Sequence, residues 1–129
     1  MTVTGGAQFQ SAELDNMIAQ ARASSDSYAP EVLRSDLLSV GLYILPAGGT
    51  DDQAPHREDE VYYAVKGHAE VRVGEEDHPV RPGTVLFVPA LAVHYFHHIE
   101  EELILVVFWA PPEKSVGAPK DRLGSASGT

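Results

Sequence analysis

Hydrophobic and polar positions follow two different rhythms along this chain. In residues 11–23, SAELDNMIAQARA, the side chains of Leu14, Met17, Ile18 and Ala21 fall on one face at a 3.6-residue period. That spacing predicts a helix with Ser11 as its N-cap. Its apolar face should pack on the outside of a domain or on a partner subunit. The Ser-rich stretch ASSDSYAP then reads as a connector. From Glu31 onward the rhythm changes. VLRSDLLSVGLYILPAGG, EVYYAVKG, HAEVRVG, HPVRPG, VLFVPA, VHYFHHI and LILVVFWAPP follow, punctuated by Gly, Pro or acidic residues. No helix-length periodic segment interrupts them, so the pattern predicts an all-β sandwich or barrel. The expected organisation is an N-terminal helical arm at 1–30, a β-barrel at 31–112 and a polar C-terminal tail at 113–129. Pro111 and Pro112 should stop the last strand, and the acidic run Glu100 to Glu102 reads as a hairpin turn beside solvent.

Polar residues interrupt this apolar pattern where chemistry is expected. Two segments, Gly48 to Gly67 and Gly83 to His98, combine apolar strand sequence with His56, Glu60 and His94. Burying such groups unpaired costs several kcal/mol, and a bound metal is one common compensation. His56 and Glu60 share parity, yet on a regular strand they would lie roughly 13 Å apart at about 3.3 Å per residue. A shared ion therefore requires a turn or bulge at Arg57 to Asp59. Strand alternation points His94, Phe96 and His98 one way and His97 the other. Facing inward, His98 is a candidate proton shuttle, outer ligand or satisfied core histidine. His68 and His78 sit in polar hairpin contexts and should be surface residues. Asp51 and Asp52 read as turn formers. Glu58 and Asp59 add negative charge beside the site, and Glu58 is a second candidate for moving protons. Tyr62, Phe87, Phe96 and Trp109 are aromatic strand residues expected in the core or in the wall of a pocket.

Composition narrows the classes. With 129 residues the chain has room for one domain and one core. It has no cysteine, which excludes disulfides, thiolate ligands and a cysteine nucleophile. A formal net charge of −10 argues against nucleic acid or an anionic membrane as partner and suits a protein that attracts cations. The first residues, MTVTGGAQFQSAELD, lack a basic and an apolar signal region, and the longest apolar run, Leu103 to Ala110, is too short to span a bilayer. A cytoplasmic location is the resulting expectation. There is no G-x-S-x-G elbow and no phosphate-binding glycine loop to suggest competing chemistry.

The two segments resemble the paired motifs of the cupin superfamily. In the first, Gly48 is followed by five residues, Ala54, Pro55, His56, three residues, Glu60, six residues and Gly67. His56 and Glu60 match the second histidine and the glutamate of that motif, and Ala54 replaces its first histidine. In the second, Gly83, Pro89 and His94 match in register, while Leu91 replaces the motif glycine and His98 the terminal asparagine. The resemblance covers about residues 40–110 and implies a double-stranded β-helix, or jelly-roll-like barrel. It also implies a divalent metal on His56, Glu60 and His94. Gln53, one position before Ala54, reads either as a loop glutamine or, where Pro55 breaks the strand alternation, as a weak fourth ligand through its amide oxygen. Two histidines and a carboxylate resemble the facial triad of non-haem Fe(II) oxygenases, so Fe(II) is favoured, with Mn, Ni or Zn as alternatives. Three functions follow as expectations. The leading one is an Fe(II) dioxygenase acting on a small polar organic molecule. The others are a redox-inert metal-dependent isomerase or lyase and a non-catalytic small-molecule-binding domain. By family analogy the protein should be a homodimer.

Overall fold

The computed structural model describes residues 8–51 and 55–112. They form one helix, α1 (Leu14–Ala23), and eight strands: β1 (Tyr28–Arg34), β2 (Ser39–Leu45), β3 (Asp59–Lys66), β4 (Ala69–Val73), β5 (Glu76–Val80), β6 (Val85–Val88), β7 (His94–His97) and β8 (Leu103–Ala110). Five strands make one antiparallel sheet in the order β1-β2-β8-β3-β6, and three make a second in the order β5-β4-β7. The expected C-terminal tail at 113–129 lies outside the described residues.

Strand alternation explains which sequences look continuously apolar. β8 is paired on both sides, with β2 and with β3. Its Leu103, Leu105, Val107 and Trp109 enter the core between the sheets with Tyr62, Val71, Val88 and Phe96. The alternate residues Ile104, Val106 and Phe108 join a second cluster with Met17, Ala21, Val40, Leu42 and Ile44. A strand covered on both faces needs apolar residues at every position, hence the unbroken run LILVVFWA. At the sheet edge the requirement lapses. In β6, Val88 is buried while Val85 and Phe87 are exposed, so Phe87 is neither core nor pocket wall, contrary to the sequence expectation.

The helix forms on the expected face but begins later. Met17 and Ala21 are buried, while Leu14 is partly exposed at the first turn. Glu13 occupies the N-cap, and its carbonyl accepts from the Asn16 and Met17 amides at 3.0 Å each. The first turn therefore closes on Glu13, and Ser11 lies outside it. β1 also starts at Tyr28, inside the expected connector, because Tyr28 and Ala29 pair with Tyr43 and Leu42 of β2.

The acidic run Glu100 to Glu102 is a crossing between sheets rather than a hairpin turn, since β7 and β8 belong to different sheets. The neighbouring crossing, from β3 to β4, passes so close that a Cβ on Gly67 (φ +104°) would sit 2.4 Å from the Glu102 carbonyl oxygen. Glycine is the residue that tolerates both demands. Glu102 then accepts two guanidinium bonds from Arg22 at 2.8 Å each and an ammonium bond from Lys66 at 3.3 Å. One carboxylate thereby ties α1 to both crossings. The Arg22 hydrogen bonds hold its pKa down at about 2 against a partial desolvation cost, with Lys66 assisting. A depressed carboxylate stabilises the fold above its ordinary value near 4.5 and loses that contribution as pH falls toward 2. The contribution should be modest and salt-sensitive, because Arg22 is half-exposed. Glu102→Gln should lower the melting temperature at about pH 7, and the gap to wild type should close as the pH of a thermal denaturation series approaches 2. A gap independent of pH would contradict this role.

Candidate metal centre

The strand β3 does not begin until Asp59; Arg57 and Glu58 form a bend before it. This is the turn that the spacing of His56 and Glu60 requires. The bend is anchored by the Leu91 amide, which donates to the His56 carbonyl at 2.6 Å. It folds the imidazole back so that His56 Nε2 lies 3.9 Å from Glu60 Oε2. His94 arrives from the other sheet, at the first position of β7, with Nε2 3.0 Å from Glu60 Oε1. One ligand atom from each of His56, Glu60 and His94 lies within 4.8 Å of the other two. Glu60 and His94 are buried, and His56 is the partly open member at 15% side-chain exposure.

Neighbours fix the orientation of Glu60 and His94. Trp109 stands opposite Glu60 in the β3–β8 register and donates its indole N–H to Glu60 Oε2 at 2.7 Å. His94 Nδ1 lies 2.9 Å from the Ala92 carbonyl oxygen, which can only accept, so Nδ1 carries the proton and Nε2 faces the cluster. The Tyr62 hydroxyl is 3.1 Å from that same Nε2, and its ring packs edge-on against Phe96 at 5.1 Å. Burial pushes the His94 imidazolium down, but the hydrogen bond and charge of Glu60, the Ala92 carbonyl and Asp51 outweigh it, and the net shift is upward. Glu58 is buried behind His56, with Oε1 4.0 Å from Nδ1. At that range the interaction is electrostatic.

Several sequence expectations change here. Asp51 is a buried pin rather than a turn former. It accepts from the Phe96 amide at 2.8 Å and the Tyr43 hydroxyl at 3.1 Å, tying its loop to β7 and β2. Glu58, placed beside the site as expected, is buried. His98 does not point inward with His94 and Phe96. It is exposed, because its φ of 51° turns the backbone out of the strand just after β7 ends. Leu91 has φ 67°. These are the positions where the cupin motif places asparagine and glycine, the two residue types that best tolerate the left-handed region. His97 lies on the outer face as expected, and His68 and His78 are exposed. Gln53 lies outside the described residues.

The donors suit a divalent transition metal. Two imidazole nitrogens and one carboxylate oxygen converge, Glu60 and His94 are each oriented by a second group, and His56 opens to solvent. Glu60 is a buried carboxylate set against an indole N–H and two imidazole nitrogens. A cation there would compensate its charge directly.

Residues 41–111 match the Cupin domain family, and the chain belongs to that family. It is similar to the Streptomyces coelicolor protein SCO3923, with 48% identity over 100 residues, covering 78% of this chain and 94% of that one. Among solved structures it resembles TT1209 from Thermus thermophilus, with 35% identity and a TM-score of 0.57, over 65% of this chain and 81% of that chain. It also resembles the DMSP lyase DddQ from Ruegeria pomeroyi DSS-3, with 26% identity and a TM-score of 0.56, over 59% of this chain and 39% of that chain.

The indole bond to Glu60 gives a direct test of this arrangement. Trp109→Phe keeps the aromatic bulk and removes the donor. It should weaken divalent-metal affinity by about 10- to 100-fold, as loss of a ligand-orienting partner typically does, with the fold intact by circular dichroism. Unchanged affinity in isothermal titration would show that Glu60 needs no such support.

Proposed function

We propose that this protein is a divalent-metal-dependent cupin enzyme acting on a small, oxygen-bearing organic molecule. The convergence of His56, Glu60 and His94 donor atoms within 4.8 Å carries the reading. A metal held there supplies a Lewis acid for a substrate oxygen, and iron would in addition supply oxygen chemistry. The protein supplies the rest. His56 is the most exposed ligand, so substrate reaches the cluster on its side. Leu91, exposed and bonded to the His56 carbonyl, gives that side an apolar rim. Glu58 places negative charge behind His56 Nδ1 and favours the tautomer that keeps Nε2 toward the cluster.

Tyr62 favours proton-transfer chemistry of the lyase or isomerase kind. Its buried hydroxyl stands 3.1 Å from His94 Nε2, where it can hold or move a proton beside the ligand cluster. The likeness to a DMSP lyase supports the same reading. The second reading, an Fe(II) dioxygenase, draws on the two-histidine, one-carboxylate donor set. No helix among the described residues is long and apolar enough to cross a membrane, and the net charge of −10 disfavours polyanionic partners.

A homodimer is supported by the open edge of the larger sheet. β6 ends the strand order there. Val85 and Phe87 on it are 63% and 62% exposed, and Tyr63, paired with Val85, is 44% exposed. A second copy of this chain would cover an apolar row that carries no charge of its own and continue the edge.

Two measurements check these readings. Elemental analysis of untagged, metal-reconstituted protein should find at least one equivalent of metal in wild type and about one equivalent fewer in Glu60→Ala. Tyr62→Phe should keep that metal while turnover of any identified substrate falls by about 100-fold or more. Oxygen consumption coupled to turnover would replace the lyase reading with the oxygenase. No metal after reconstitution with Fe(II), Mn(II) and Zn(II) would overturn both. For assembly, Phe87→Glu should convert a dimer to a monomer in light scattering, and a wild-type monomer would overturn the interface.

A further inference from the structure

A second group of ligand-type side chains stands on the opposite face of the smaller sheet. Glu70 of β4 and His97 of β7 are paired in register. His98 follows immediately, and the donor atoms of Glu70, His97 and His98 lie within 4.8 Å of one another. Adjacent imidazoles on an extended strand point to opposite faces. Here they do not, because the left-handed backbone of His98 (φ 51°) turns it back toward its neighbour. The two Nδ1 atoms come to 2.6 Å, with ring centroids 4.8 Å apart. A non-glycine residue held at positive φ is a strained feature that clusters at functional positions.

The far side of the His97 ring is also fixed. His97 Nε2 lies 2.8 Å from Asp77 Oδ1 and 3.8 Å from Glu70 Oε1, and Asp77 is itself held by Arg72 at 3.0 Å. The His97 hydrogen bond is the main cause of a depressed Asp77 carboxyl. An imidazole that gives one N–H to a carboxylate presents its other nitrogen as a ligand, the usual outer support of a metal-bound histidine. His97 and His98 also line a cleft of about 470 Å³, together with Tyr95 and the Gly48 to Thr50 loop. The group is therefore reached from solvent.

We propose that His97 and His98, through their facing Nδ1 atoms, form the core of a second, solvent-facing site for a divalent transition metal, with Asp77 orienting His97 and the Glu70 carboxylate, now nearest His97 Nε2, swinging round to complete it. Two imidazoles and a carboxylate select borderline ions such as Zn(II), Co(II), Ni(II) or Cu(II) over Mg(II) and Ca(II). An ion at about 2.0–2.1 Å from each Nδ1 needs those atoms roughly 3.3 Å apart in tetrahedral geometry. The rings must part by several tenths of an ångström, which His98 can supply because it is exposed. Binding replaces the proton shared between the two nitrogens. The remaining coordination positions face the cleft, so a small anionic ligand can complete the shell there.

The site is independent of the inner cluster, and its test keeps the two apart. Untagged protein is titrated with Zn(II) alone, and with Co(II) alone read by visible absorption. Wild type should bind about two equivalents. Glu60→Ala should keep about one, and His97→Ala/His98→Ala should also keep about one, at the other site. His98→Ala alone, at an exposed position, should weaken the outer equivalent at least tenfold with an unchanged melting temperature. His78→Ala, which alters a surface histidine beside Glu76, should change nothing. Wild-type stoichiometry in the double variant would overturn the proposal. So would an equal loss in His78→Ala, which would mark surface histidines in general. No residual metal on Glu60→Ala would likewise leave the inner cluster as the binding site.

Discussion

A carboxylate removed from water needs its charge answered by the protein, and Glu60 places that demand on both sheets. Its indole partner, Trp109, comes from the adjoining strand of the larger sheet, and its imidazole partner, His94, comes from the smaller one. The contact between Glu60 and His94 thus spans the gap that the apolar core otherwise fills. Removing one partner from such a buried set costs far more than the set contributes as a whole. On the proposed reading, the polar cluster is a receptacle for a cation rather than a device for stability.

The architecture around it separates the two tasks. Stability rests with β2 and β8, which are covered on both faces, by the inter-sheet core and by α1. Chemistry rests with one end of β3, where the inward positions pass from Ala64 through Tyr62 to Glu60, and with the start of β7. The same alternation that buries apolar residues delivers a phenol and a carboxylate to one wall. The outer face of the smaller sheet has no helix over it among the described residues. There Tyr95, His97, Arg72 and Glu70 meet solvent, and a second kind of polar arrangement can form.

Much of this was legible in the sequence, for definite reasons. The strand rhythm and the paired motifs specify a two-sheet β-fold because period-2 burial and turn residues are local signals. The convergence of His56, Glu60 and His94 was readable from motif spacing together with the need for a bend at Arg57 to Asp59. His98 was misplaced because parity holds only while the strand lasts, and the backbone turns at that residue. The motif asparagine at that position is the signal for a left-handed residue. Trp109 and Asp51 were not legible as partners. Their roles depend on cross-strand register and on a loop 45 residues distant from Phe96, neither of which leaves a local trace. Phe87 resembled core because an edge strand and a central strand share composition and differ only in what covers them.

The functional reading turns on His56, Glu60 and His94 sharing one ion. An anomalous difference map from crystals of the Co(II)-loaded protein, recorded at the cobalt edge, decides whether they do. The expected peak lies at bonding distance, about 2.0–2.2 Å, from His56 Nε2, His94 Nε2 and a Glu60 oxygen, with the Glu60–Trp109 bond retained. A fully loaded protein in which Glu60 and His94 keep their 3.0 Å contact, with no peak beside them, would contradict it.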